Sequence, residues 1–153
     1  MKIADILTPA RIAIGVQANS KKAVLEHLAR LAAADTLELT AAQAFDGLVV
    51  RERLGSTGLG RGIAIPHGRI DHLSAMMGAF LRTETALDFD AIDGEAVDLF
   101  FALFVPKNTN DEHLAMLANL AESLADESLV GKLRELTSTQ KIHSLLAETP
   151  ANV

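Results

Sequence analysis

Cysteine, tryptophan and tyrosine are missing from the 153 residues, and proline occurs only four times. Without cysteine there can be no disulfide framework, no thiolate metal site and no cysteine nucleophile, a composition that suits a reducing compartment and makes the cytoplasm the expected location. With six phenylalanines as the only stacking rings of the Phe/Tyr/Trp class, and 20 acidic against 14 basic residues for a formal charge of −6, a nucleic-acid surface of basic stripes and aromatics is not expected. Long apolar runs are missing as well. The longest, Leu99 to Pro106, falls far short of the roughly 20 residues that cross a bilayer and fits a buried strand instead. Met1 to Ala10, interrupted by Lys2 and Asp5, lacks the apolar core of a secretion signal, so a soluble protein is expected.

What the chain does contain is enough apolar residue for one ordinary core, since a domain of this size can bury about 70% of its unfolded surface. Ser20 precedes a segment with Val24, Leu28 and Leu31 at helical spacing, which predicts a helix to about Ala34. Thr40 can cap a second helix that stops at Gly55 and carries Arg51 near its last turn. Gly55 to Gly62 reads as a glycine-rich loop leading into the apolar run Gly62 to Pro66. Pro66 is expected to end that strand, leaving His67 and Gly68 in a turn at its carboxyl edge.

Ala75 to Leu81 and Val97 to Val105 have strand length, the second apolar enough to be covered on both faces, with a short strand and turn between them. Thr109 and Glu112 form a capping-box pattern around Asn110 that opens a helix through Leu124. Shorter helices are predicted over 128–136 and 139–147, then a frayed tail over 149–153. The order of elements implies a single α/β domain over 1–148, a sandwich of a mixed sheet with helices on both sides.

The glycine loop fails the nucleotide templates. A Walker A motif from Gly55 needs Lys at 61 and Ser or Thr at 62, where Arg61 and Gly62 stand, and a dinucleotide fingerprint from Gly58 and Gly60 needs a small residue where Ile63 stands. His67 and His72 lack metal-ligand spacing and no third ligand is marked, so no metal is expected; no G-x-S-x-G elbow exists for a serine hydrolase.

His67 is set apart by Pro66, Gly68 and Arg69. A turn histidine is often merely solvated, yet a neutral imidazole can attack phosphorus, and Gly68 would let the backbone approach a phosphoryl oxygen. Two readings also stand for His113, which at the start of its helix can either pack on Leu117 or steady an anion. Arg51 likewise suits a helix carboxyl terminus with no function, or can stabilise a transferring phosphoryl group.

Arg51-Glu52 followed by GSTGLGRGIAIPHGR from Gly55 to Arg69 resembles the signature of the enzyme IIA component of the phosphotransferase system, in the fructose/mannitol/nitrogen superfamily. FDAIDGEAVDLFFALFVP and DEHLAMLANLAESLADES are similar to the same family, and GSTG with GIAIPHGR and FDAIDG point to its nitrogen-related branch. The resemblance implies that His67 accepts a phosphoryl group, on Nε2, while Arg51 offsets its charge and His113 donates a hydrogen bond to it or orients it. It implies an HPr-like phosphocarrier as donor, regulated partners such as potassium transporters or sensor kinases, and no cofactor. Two related readings are a sugar-specific IIA that passes phosphate to a IIB unit and a binding regulator without phosphotransfer. Either transfer reading implies a shallow surface around His67, with Leu59 and Ile70 close by.

Overall fold

The computed structural model describes residues 1–109 and 111–149. Its elements are β1 (Ile12–Val16), α1 (Lys21–Ala33), α2 (Ala41–Glu52), β2 (Gly58–Gly60), β3 (Ile63–Ala64), β4 (His67–Ile70), β5 (Met77–Leu87), β6 (Val97–Pro106), α3 (Asp111–Ser123), α4 (Glu127–Glu135) and α5 (Thr139–Ala147), with two 3-10 turns before β1. The strands form one mixed sheet in the order β1-β5-β6-β3-β2, with β4 also paired to β6.

Both early helices start where the sequence says they should. Ser20 Oγ accepts from Ala23 N at 3.1 Å, and Thr40 and Gln43 form a reciprocal capping box with bonds of 3.0 and 3.1 Å. Central β6 sorts its side chains by the alternation of a strand. Phe100, Ala102 and Phe104 join one core cluster with Val24, Leu28 and Leu48, whereas Leu99, Phe101, Leu103 and Val105 join another with Met116, Leu120 and Ile142. A mixed sheet carrying helices on both faces is therefore what forms, as expected from the order of elements.

The structure corrects four details. β1 is a strand beyond those expected; it is short, runs parallel to β5 and is interrupted by a register shift near Gly15, whose φ is +65°. The glycine loop contains β2, antiparallel to β3. No separate strand lies between β5 and β6 among the described residues; β5 instead runs on to Leu87. Finally, the chain does not turn at Pro66. Ile63 and Ala64 face Leu99 and Phe100, and His67 faces Leu103 in the same unbroken register, with Pro66 O accepting from Leu103 N at 2.9 Å. Proline removes a single donor from this ladder without ending it, so His67 opens a strand.

The capping pattern around Asn110 and residues 150–153 of the expected tail lie outside the described residues. Thr149 bonds back to α5 through Oγ1 to Leu145 O at 3.0 Å.

Candidate functional site

β4 divides its residues between the two faces of the sheet. Gly68 and Ile70 turn toward α2, while His67 and Arg69 turn toward the α3 side. Gly68 is pressed against α2 so closely that a Cβ there would lie 2.5 Å from the carbonyl carbon and oxygen of Gly47 and 2.9 Å from Leu48 N. A Cβ on Gly47 would meet Ile70 Cδ1 at 2.8 Å. This glycine pair lets the helix lie on the strand, and Arg51, one turn beyond Gly47, is carried to the margin beside His67. Gly68 is thus required for helix packing, a demand beyond the expected approach of its backbone to a phosphoryl oxygen.

His67 is half-buried, and its Nδ1 is 2.9 Å from Ile65 O. A carbonyl can only accept, so Nδ1 carries the proton and Nε2 keeps a lone pair. Burial lowers the pKa of the ring; the bond to Ile65 opposes this, and the Arg51 and Arg69 cations lower it further against a smaller contrary pull from Glu52. The ring is neutral near pH 7, the form that can act as a nucleophile.

His113, in the first turn of α3, meets His67 edge on, with ring centroids 5.4 Å apart and planes at 62°. It is only 7% exposed, and neither Nδ1 nor Nε2 has a hydrogen-bond partner. Burial lowers its pKa most, followed by His67 and Arg69. An unpaired buried imidazole is costly, and an acceptor arriving at His67 would satisfy it. The amino end of α3 adds a partial positive charge at the same place.

Arg51 Nη1 donates to Gly55 O at 2.9 Å, which ties the end of α2 to the glycine segment. The neighbouring Glu52 is buried, accepts from Thr57 N at 3.0 Å and Thr57 Oγ1 at 2.8 Å, and pairs with Lys21 at 3.2 Å. Side chains of opposite sign at 51 and 52 therefore anchor the same turn from two sides.

Arg51, His67 and His113 line one open concavity of about 580 Å³, together with Arg69 and Lys107. The three residues expected to act together are brought together. The apolar rim of the concavity differs from expectation. Val50 from α2 and Leu54 from the turn that follows it, 63% and 82% exposed, supply it, whereas Ile70 is buried in the floor and Leu59 is not among the lining residues. The sequence did mark these two: they fall outside the buried Ala44/Leu48 stripe of α2, an apolar pair with no core to face. Arg69 does more than neighbour His67: its Nη1 donates to Lys107 O and Thr109 O.

Among the described residues, no group of three or more His, Asp or Glu side chains gathers to hold a metal ion, and no helix is long and apolar enough to cross a membrane.

Residues 5–149 match the family described as "Phosphoenolpyruvate-dependent sugar phosphotransferase system, EIIA 2". A nitrogen regulatory protein of Pseudomonas aeruginosa is 39% identical over 148 residues, covering 97% of this chain and 96% of the relative. One from Bradyrhizobium diazoefficiens is 40% identical over 151 residues, covering 99% and 98%. The crystal structure of nitrogen regulatory protein IIA-Ntr from Neisseria meningitidis superposes with a TM-score of 0.88 at 39% identity, over 94% of this chain and 98% of that one.

Proposed function

Because the chain belongs to the EIIA 2 family of the phosphotransferase system, we propose that it is a phosphohistidine carrier of the nitrogen-regulatory type, taking a phosphoryl group on Nε2 of His67 from an HPr-like phosphocarrier. The observation that carries this reading is the bond from His67 Nδ1 to Ile65 O, which leaves Nε2 with its lone pair. In the transfer, the nitrogen–phosphorus bond of the donor breaks as one forms to Nε2, and the donor ring leaves with the electron pair of the broken bond. The proton stays on Nδ1, hydrogen-bonded to Ile65 O throughout, so no proton has to move. Arg51 offsets the arriving charge, and His113 donates a ring N–H to a phosphoryl oxygen; such transfer asks for little beyond alignment and charge stabilisation.

The open concavity with Val50 and Leu54 at its rim supports docking of a protein rather than enclosure of a metabolite. Phosphorylation would place nearly two negative charges in the middle of that surface, favouring some partners and repelling others. We assign this switch to regulated partners in the cytoplasm, such as potassium transporters or sensor kinases.

Incubation with phosphoenolpyruvate, enzyme I and an HPr-type carrier tests the proposal. Acid-labile, base-stable phosphate is expected on the wild type and not on His67→Ala. An unlabelled wild type refutes the carrier reading, and label retained by His67→Ala moves the acceptor elsewhere. Onward passage of the label to a IIB protein would favour the sugar-specific alternative.

A further inference from the structure

His113 poses a positional problem. Its ring nitrogens have no partners, so no hydrogen bond of its own aims the ring at His67. Where the ring sits is decided by where α3 begins, and α3 follows a tight turn from β6 in which Thr109 N bonds Pro106 O at 3.1 Å. Arg69 reaches that turn from β4. Its Nη1 donates to Lys107 O at 2.9 Å and to Thr109 O at 2.8 Å, gathering two carbonyls of one turn onto a single nitrogen. A second tie runs alongside, Lys107 Nζ to Asp71 at 3.4 Å, but both of its side chains are largely exposed and it adds little.

The guanidinium that holds the turn stands two residues from His67 on the same strand and the same face. The acceptor ring and the clamp thus share one rigid segment, and the second ring hangs from the far side of the clamp. We propose that Arg69 is a positioning residue for phosphoryl transfer, pinning the β6–α3 turn so that His113 is held at its working distance and angle from His67. This rests on the reading of His67 as phosphoryl acceptor. The charge of Arg69 also lowers the pKa of both rings. Arg69→Lys, which keeps the charge without the fork, separates the two roles: it is expected to recover little of the rate lost in Arg69→Ala, and full recovery would overturn the positioning role.

A double-mutant cycle tests whether Arg69 acts through His113. Transfer from the phosphorylated HPr-type carrier is followed by rapid quench across donor concentrations in the wild type, Arg69→Ala, His113→Ala and the double variant. Arg69→Ala is expected to lower the rate at saturating donor by about 10- to 100-fold, the scale of a small misplacement, with half-saturation unchanged within about twofold. In the His113→Ala background the same change is expected to cost less than about twofold. Independent, multiplying losses would overturn the proposal, as would a rise in half-saturation at unchanged maximal rate, which would make Arg69 a docking residue. Should Arg69→Ala prove thermally unstable, Arg69→Gln keeps the bulk of the stem and takes its place. Ring-nitrogen NMR needs no transfer: the His113 signals are expected to move or broaden in Arg69→Ala, and unchanged signals overturn the proposal. A wild type that takes no phosphate while its His113 signals respond to Arg69→Ala would instead refute the acceptor reading and leave the clamp standing.

Discussion

The imidazoles of His67 and His113 meet edge to face at 5.4 Å, one anchored by its own chain two residues back and the other without any polar partner. The pair is asymmetric in a useful way. His67 has one nitrogen committed and one available, whereas His113 has hydrogen-bonding capacity that only an arriving acceptor would use.

Replacing His113 by leucine is therefore expected to separate activity from stability. Transfer should slow by about 10²-fold, the scale of a lost transition-state donor, while the fold gains about 1 kcal/mol because an unpaired buried polar group is removed. Rapid-quench transfer rates and urea unfolding measure the two. A destabilised variant with an unchanged rate would reduce His113 to packing.

Gly68→Ala should be the most damaging small substitution near the site. Its methyl would meet the Gly47 backbone at 2.5 Å, which cannot turn aside, so α2 must lift from β4 at a cost of about 1–3 kcal/mol. Gly47→Ala meets the end of the Ile70 side chain and should be milder. Thermal unfolding of the two variants gives the order, and a milder Gly68→Ala would contradict the packing described.

Arg51→Ala is expected to raise the pKa of His67, by removing a nearby cation, and to slow acceptance by about 10- to 100-fold. Arg51→Lys should recover part of the rate, since it restores charge without the planar fork. An NMR titration of His67 alongside the transfer assay checks both effects. No movement of the His67 titration would show that the cation does not act on the ring.

Stability should fall on mild acidification. His67 and His113, chiefly through burial, bind a proton less readily when folded than at the ordinary histidine value of 6.5. The unfolded chain then takes up more protons once the pH drops below about 6.5, and unfolding is favoured until the folded-state pKa values are passed. Above about 6.5 both states are neutral and this contribution to the slope vanishes. Urea midpoints between pH 5 and 8 should follow that course, flattening in a His67→Ala/His113→Ala double variant. A residual slope is expected from His27, whose pKa burial and Arg30 also lower. Stability that rises on acidification over this range would contradict the assignment.

Ser20, Thr40 and the unbroken apolar run of β6 were legible because each acts locally: a cap binds amides within its own turn, and a run without polar residues can only be central. Pro66 misled for the same reason. Locally it disfavours a strand, but its carbonyl still serves Leu103, and the ladder on either side keeps the register through it. β1 carried too weak a signal, being five residues with a glycine among them, and its pairing with β5 is set by distant sequence. Arg51, His67 and His113 were found through their motif blocks. What no spacing disclosed was the contact of Gly47 with Gly68, or the reach of Arg69 to the turn before α3, because both depend on how α2 and α3 lie on opposite faces of one strand.

The pairing of β4 with β6 has a consequence for the chain as it is made. His67 has no second ring beside it until the segment carrying residue 113 has been synthesised and β6 has slotted into the sheet between β4 and β5. A nascent chain halted before that point holds His67 but not its surroundings, so, with His67 as the proposed acceptor, acquisition of phosphate would report that the final strand is in place.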